Sequence, residues 1–138
     1  MRIVKKGLKT MKWQYVSNIQ DENVFKQVSD EYKLEIPSDF ITFIKKYNAG
    51  TPEKCHIKIN GVERIVGAVL SYNKGEADVD SAFLALDVLK DKNLLPFAVD
   101  PFGNYFCVKD GKVVFWRHEE MLIDETNISI KDFEKVLY

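Results

Sequence analysis

The sequence has 138 residues, of which 46% are hydrophobic and 30% are charged, and its formal net charge is −1. This length suits one domain, and the composition is that of a globular protein rather than a disordered or fibrous chain. No stretch approaches the ~20 apolar residues that span a membrane, and the basic start lacks the apolar run of a secretory signal. We therefore expect a cytoplasmic protein with no membrane partner.

The charge is distributed unevenly along the chain. The first ten residues contain no acid and four bases, namely Arg2, Lys5, Lys6 and Lys9. Residues 11–138 then carry 16 bases against 21 acids, a net charge of −5. We treat residues 1–12 as a basic N-terminal extension and residues 13–138 as a single domain. An acidic body disfavours direct binding of nucleic acid and suits a basic protein partner.

Three segments repeat apolar side chains at helical spacing, over residues 19–33, 36–50 and 79–89. The second segment, IPSDFITFIKKYNAG, starts beside Pro37 and stops before Gly50, as helices commonly do. The apolar positions are Val24, Phe25, Val28 and Tyr32 in the first segment, Phe40, Phe43, Ile44 and Tyr47 in the second, and Val79, Ala82, Phe83, Leu86 and Leu89 in the third. The spacing predicts three helices.

The end of the chain predicts a fourth helix. Ser129 and Asp132 form an S-x-x-D cap, and apolar residues follow at helical spacing at Ile130, Phe133, Val136 and Leu137. We expect this helix to close the domain.

Two hairpins are predicted at Asn60-Gly61 and Asp110-Gly111, because these dipeptides tolerate the positive φ angles of a two-residue turn. The first turn pairs residue 57 with 64, 58 with 63 and 59 with 62. Lys58 then faces Glu63, while Ile57, Ile59 and Val62 share the opposite face. One face of this hairpin should therefore be exposed to solvent.

The second hairpin pairs residue 105 with 116 and 108 with 113. Because side chains alternate along a strand, each face is apolar. One face carries Phe106, Val108, Val113 and Phe115, and the other carries Tyr105, Cys107, Val114 and Trp116. Such a hairpin should lie centrally in a mainly antiparallel sheet, with helices packed on one side and more protein or a functional surface on the other. The fold class is therefore α+β.

Upstream of this hairpin, the segment Asp100-Pro101-Phe102-Gly103 predicts a turn.

The histidines and cysteines have residue types that suit either catalysis and metal binding or purely structural roles. His118 beside Glu119 and Glu120 has the residue types of an acid/base site, but no nucleophile motif or phosphate loop accompanies it. A small hydrolase is the resulting alternative, and we predict that the protein is not an enzyme. No cofactor is implied.

Four side chains have zinc-binding chemistry, namely Cys55, His56, Cys107 and His118. Adjacent residues of a strand point to opposite faces, so we predict no metal site and a buried Cys107 thiol.

The acids Glu76, Asp78 and Asp80 lack the array of a Ca²⁺ loop and are expected to be solvated. Trp13 and Tyr15 either mark a binding patch or dock the chain start onto the body.

The order of IPSDFITFIKKYNAG, a hairpin, LPFAVDPFGNYFCV, GKVVFWRHE and a terminal helix resembles the SUKH superfamily over residues 20–138. This is the domain class of fungal cell-wall-assembly regulators and of many bacterial immunity proteins. One departure is Ala49, since the family often has two glycines after the asparagine at 48. The motif positions that match are Pro37, Asn48, Gly50, Pro96, Asp100, Gly103, Asn104 and Trp116. Most of them look architectural.

The resemblance implies a non-enzymatic immunity protein that binds a cognate toxin domain, often a nuclease, and blocks it. The alternative it implies is a regulatory scaffold module that binds proteins without inhibiting an enzyme. We expect exposed rings, such as those of Tyr105, Trp116 or Phe102, to anchor the partner, because buried aromatics concentrate interface energy. A charged rim is expected from the acids Glu119, Glu120, Asp124 and Glu125. The predicted partner-binding residues are Phe102, Asn104, Tyr105, Trp116, His118, Glu119, Glu120 and Asp124.

Overall fold

The computed structural model describes residues 11–138, so residues 1–10 and most of the predicted extension lie outside the described part. Within that part the chain forms three α-helices and nine strands. The helices are α1 (Val24–Tyr32), α2 (Ser38–Tyr47) and α3 (Ala82–Val88). The strands are β1 (Trp13–Gln14), β2 (Thr51–Pro52), β3 (His56–Ile59), β4 (Val62–Ile65), β5 (Ala68–Val69), β6 (Leu95–Val99), β7 (Tyr105–Lys109), β8 (Lys112–Arg117) and β9 (Leu122–Ser129).

The three helices confirm the predictions made from apolar spacing, although each is shorter than its segment. α1 ends at Lys33, whose left-handed backbone lets its N–H donate to the Ser29 carbonyl. α3 begins after Ser81, whose Oγ accepts a hydrogen bond from the Phe83 N–H at 3.0 Å. No helix within residues 11–138 has the length and apolar character needed to cross a membrane.

The main sheet has five antiparallel strands in the order β5-β6-β7-β8-β9. The β7–β8 hairpin turns at Asp110-Gly111 with the predicted register, from Tyr105 opposite Trp116 to Val108 opposite Val113. It lies centrally, as two apolar faces require. The α+β class is confirmed.

The β3–β4 hairpin turns at Asn60-Gly61, also with the predicted register. Ile57 and Ile59 are buried, whereas Val62 is half exposed, so the shared apolar face is only partly covered. Lys58 lies opposite Glu63 in the register, and the Glu63 carboxylate also lies 3.5 Å from His56 Nε2. The predicted placement of Lys58 opposite Glu63 is therefore confirmed, and His56 is an additional contact of Glu63.

One face of the main sheet carries the large core. Aromatic rings meet there edge to face, with the Phe97 ring centroid 4.9 Å from Phe133 and 5.5 Å from Phe43. Helices α1 and α2, the β3–β4 hairpin and the C-terminal segment contribute to this cluster. It provides most of the apolar burial that stabilises the fold.

The opposite face of the sheet is covered less completely. Leu89 and Leu94, which follow α3, pack on Cys107, Val114 and Trp116 in a smaller cluster. Burial raises the pKa of the Cys107 thiol, as expected for an inert interior cysteine. At the edge of this smaller cluster, Tyr105 is only partly buried, so this end of the face is open to solvent.

The predicted C-terminal helix was wrong. The Ser129 side chain does accept a hydrogen bond from the Asp132 N–H, but two 3-10 turns follow, Ile130–Asp132 and Glu134–Val136. The chain is then drawn into extended pairing, because Tyr138 exchanges both backbone hydrogen bonds with His56. Long-range contacts thus override the local helical pattern.

The chain start is docked onto the body through Trp13. Its ring stacks on Tyr47 with centroids 4.1 Å apart, and its Nε1 donates to the Glu134 carboxylate at 3.2 Å. Tyr47 donates to the same carboxylate. Tyr15, in contrast, is 77% exposed.

Candidate functional site

The Asp100-Pro101-Phe102-Gly103 segment forms the predicted turn, organised by the buried carboxylate of Asp100. Its Oδ1 accepts hydrogen bonds from the N–H groups of Phe102 and Asn104, both at 2.8 Å. Its Oδ2 accepts from Asn104 Nδ2 at 2.9 Å. Hydrogen bonds to a charged group are the strong ones, so the turn is rigidly defined.

This turn is joined to the β8–β9 turn. Asn104 Oδ1 accepts from the His118 N–H at 3.0 Å, and His118 Nε2 lies 3.2 Å from the Phe102 carbonyl oxygen. Gly103 has a φ of +88°, and a Cβ there would lie 3.3 Å from the His118 ring. We call residues 100–104 and 118–121 together the turn pair.

The turn pair presents two large apolar side chains to solvent. Phe102 is 71% exposed and Met121 is 61% exposed. Met121 also has a φ of +55°, a left-handed conformation that is uncommon for residues other than glycine and asparagine. A glycine would remove both the backbone strain and the exposed apolar surface, so the fold alone does not account for methionine here.

Beside Met121 lies an apolar hollow of about 380 Å³. Its lining is Val88, Lys92, Gly103, Tyr105, Trp116, His118 and Met121. Trp116 was expected to be an exposed ring, and this was wrong, because it is only 4% exposed and packs on Leu89 and Leu94. It forms the floor, with the Tyr105 ring stacked at a centroid distance of 6.0 Å.

On the other side of His118 lies a polar hollow of about 360 Å³. Its lining is Arg64, Phe102, Asn104, Arg117, His118, Glu119 and Glu120. The two hollows share His118, so seven of the eight predicted binding residues line one continuous surface.

The eighth predicted residue, Asp124, lies behind the polar hollow. Arg117 Nη2 donates to its Oδ1 at 3.1 Å, and Arg117 Nε lies 3.0 Å from Oδ2, out of line for a hydrogen bond but in ionic contact. Asp124 is mostly buried and neutralised. Its assignment to an open charged rim was therefore wrong, whereas Glu119 and Glu120 are exposed.

The residues that sequence reasoning missed are Arg64, Val88 and Met121. The hairpin register contained a usable indication for Arg64, because it pairs with Ile57. Cross-strand partners share a face, so burial of Ile57 implies that Arg64 also points inward. No comparable pattern marked Met121.

The acid/base alternative finds no geometric support at His118. Among residues 11–138 no hydrogen bond or ion pair joins its ring to a carboxylate, and Glu120 instead lies 3.7 Å from Arg117. The ring contacts the Phe102 carbonyl oxygen.

The zinc-type side chains are dispersed. Cys107 is buried within the sheet, and the described part of the chain contains no cluster of three potential metal ligands. Cys55 Sγ does approach His56 Nδ1, at 3.9 Å. The two side chains therefore do not diverge as predicted, because Cys55 precedes β3 and is free of its alternation.

Glu76 is not the solvated charge that was expected. Its Oε1 accepts hydrogen bonds from Ser71, Ser17 and Asn73. The Ser71 hydroxyl makes the largest contribution to lowering the Glu76 pKa below its ordinary value, against the opposing effect of burial. Glu76 thus stabilises the loop structurally.

Comparison with known families decides the assignment. The family described as SMI1 / KNR4 (SUKH-1) matches residues 20–137. The chain belongs to the SMI1/KNR4 family. Searches of curated proteins and of solved structures found no significant match. SMI1/KNR4 membership is compatible with an immunity-type or a regulatory protein-binding domain.

The SMI1/KNR4 motif after α2 has a structural role in this chain. Asn48 is fully buried; its Oδ1 accepts from the Tyr72 N–H at 2.8 Å and its Nδ2 donates to Ser17 Oγ at 3.2 Å. Ala49, the departure from the family pattern, has a φ of +65°, which glycine adopts without strain. A Cβ on Gly50 would lie 2.7 Å from Val16 Cγ2 and 2.9 Å from the Tyr47 carbonyl oxygen.

Proposed function

We propose that this SMI1/KNR4 domain is an immunity protein, which neutralises a cognate toxin domain by stoichiometric binding through the turn pair and its two hollows. The toxin is expected to be a basic protein, such as a nuclease. The observation that carries the proposal is the exposure of Phe102 and Met121 on a rigid support, with Met121 held in a strained backbone conformation.

The support beneath these side chains favours tight binding. The Asp100 hydrogen bonds and the Asn104 bond to His118 fix both turns before any partner arrives. A rigid surface loses little conformational entropy on association, so more of the contact energy becomes affinity. Apolar side chains beside a hollow also have the arrangement of interface anchors.

The charges around the site suit a basic partner. Glu119 and Glu120 are exposed at the edge of the polar hollow, and residues 11–138 carry a net charge of −5. The negative electrostatic potential of these charges accelerates association with a positively charged toxin, and added salt weakens this acceleration.

The test is co-expression with toxin domains encoded beside this gene. We expect growth rescue and a co-purifying 1:1 complex with one of them. The double variant Phe102→Ser/Met121→Ser should lose rescue, whereas Tyr15→Ser, which removes an equally exposed ring elsewhere, should retain it. Each Ser variant must first show wild-type thermal unfolding.

Two outcomes would count against the proposal. Absence of rescue and of any complex with every neighbouring toxin would favour the regulatory scaffold alternative. Rescue that survives the double variant would keep the immunity function but remove the turn pair as its surface.

A further inference from the structure

Arg64, on β4, packs its side chain over the Phe115 ring of β8 and lines the polar hollow. Its guanidinium carbon lies 4.8 Å from the centre of the Phe115 ring, and its side chain is 24% exposed. The aromatic face attracts the cation and holds the guanidinium plane in place. Arg64 is thus a positioned charge rather than a mobile surface side chain.

Among residues 11–138 the Arg64 guanidinium has no hydrogen-bond acceptor, and its side chain, 24% exposed, is partly open to water. Its ionic contact is with Asp124 Oδ2 at 3.9 Å, which is too long for a hydrogen bond. Its Nε is buried and has no hydrogen-bond partner among these residues. Asp124 is already engaged at two shorter distances by Arg117.

A guanidinium offers five N–H donors in a planar fork, and leaving one of them, here the Arg64 Nε–H, buried without an acceptor is unfavourable. The fork matches a carboxylate, which accepts two parallel hydrogen bonds. The hollow that Arg64 lines, of about 360 Å³, has room for an acidic side chain.

We propose that Arg64 binds a carboxylate, supplied by an aspartate or glutamate side chain of the partner protein, in the polar hollow. Glu120 does not prevent this, because Arg117 lies 3.7 Å from it. Glu119 is exposed, so water and salt screen its repulsion. The partner therefore presents an acid to Arg64 within an otherwise basic surface. The carboxylate site exists without the toxin; only the source of the acid rests on the proposed function.

The site is tested on the free protein by NMR titration, following the Nε–Hε resonance of Arg64. The probes are N-acetyl-glutamate amide, its glutamine counterpart and inorganic phosphate. We expect a saturable shift with the glutamate probe, with a dissociation constant on the order of 10 to 100 mM, and none with the glutamine probe. The backbone amide resonances of Phe102 and Asn104 should shift in the same titration.

Variants separate this role from a structural one. Arg64→Gln should abolish the shifts of the Phe102 and Asn104 amides, and Arg64→Lys should weaken them while keeping the charge. Lys58→Gln, an exposed neighbour on β3, should leave them unchanged. If Arg64→Gln does not fold, the wild-type titration still decides. Equal shifts with both amino-acid probes, no saturable shift, or binding of phosphate alone would overturn the proposal.

The toxin complex gives an independent result. Arg64→Gln should weaken toxin binding at least about tenfold, because removing one member of a buried charge pair leaves the other unpaired. Unchanged toxin affinity would overturn the assignment of Arg64 to the interface while leaving the immunity function in place. A positive titration without any toxin binding would retain the carboxylate site and remove the immunity function.

Discussion

Asn104 Oδ1 accepts a hydrogen bond from the His118 N–H at 3.0 Å, and this contact joins the turn before β7 to the turn after β8. The two turns are brought together by the β7–β8 pairing, in which Tyr105 lies opposite Trp116. The candidate site is consequently a product of the hairpin register set at Asp110-Gly111, at the opposite end of the ribbon.

Asp100 should be essential for the turn pair. Asp100→Ala removes the acceptor of three hydrogen bonds and leaves the donors of Phe102 and Asn104 unsatisfied. We expect a loss of about 2 to 3 kcal/mol in the free energy of unfolding, measured by urea denaturation. Asp100→Asn, which keeps one acceptor oxygen, should lose less. Equal stability of the alanine variant and wild type would show that these bonds contribute nothing.

Adjacent positions 49 and 50 should respond to substitution in opposite directions. Ala49→Gly relieves a left-handed alanine and should raise stability by about 0.5 kcal/mol, since the strain exceeds the added entropy of the unfolded chain. Gly50→Ala should lower stability by about 1 to 3 kcal/mol, because its Cβ would overlap Val16 and the Tyr47 carbonyl. Thermal unfolding measures both. The same sign for the two changes would contradict this account.

Tyr72 should make stability fall at alkaline pH. Burial raises its pKa well above the ordinary value of 10.0, so the folded state holds the proton while the unfolded chain releases it. This stability is present below pH 10 and is lost as pH rises above it. Tyr72→Phe should cost about 1 kcal/mol at pH 7 through loss of the hydrogen bond to the Pro96 carbonyl. That deficit should shrink by about 1.4 kcal/mol per pH unit above 10 in denaturation series. A stability deficit of Tyr72→Phe that stayed constant above pH 10 would show that the folded protein does not hold Tyr72 buried and protonated.

Glu76 should act in the opposite pH range. Its pKa is lowered from 4.5, so its contribution to stability is present above that value and is lost as pH falls below it. Glu76→Gln should destabilise the protein by about 1 kcal/mol at pH 7, because neutral hydrogen bonds replace charge-assisted ones. The difference in free energy of unfolding between wild type and Glu76→Gln should become smaller below pH 4.5. Asp78→Asn, which removes an exposed carboxylate from the same loop, is the matched control.

Much of the fold followed from local sequence because short turns fix register. Asn60-Gly61 and Asp110-Gly111 each allow one pairing, and the structure has both. The C-terminal segment was mispredicted because pairing of Tyr138 with His56 overrides its helical spacing. The edge strand β9 was missed because LIDETNIS does not alternate regularly; its register shifts opposite residues 112–114.

The candidate site was only partly predictable for a related reason. Sequence placed Tyr105 and Trp116 on the same hairpin face, but burial of Trp116 depends on Leu89 and Leu94, which come from a different part of the chain. Inward pairing of Asp124 likewise depends on Arg117. Exposure is set by what packs on a residue, and a single strand does not encode that partner.

Amide hydrogen exchange of the protein, free and bound to its cognate toxin, shows whether the turn pair is the surface that the toxin covers. We predict that the toxin slows exchange in residues 102–105 and 118–123, which form the turn pair and its borders. Unchanged exchange there, with protection instead on the solvent face of α1 and α2, would contradict the account.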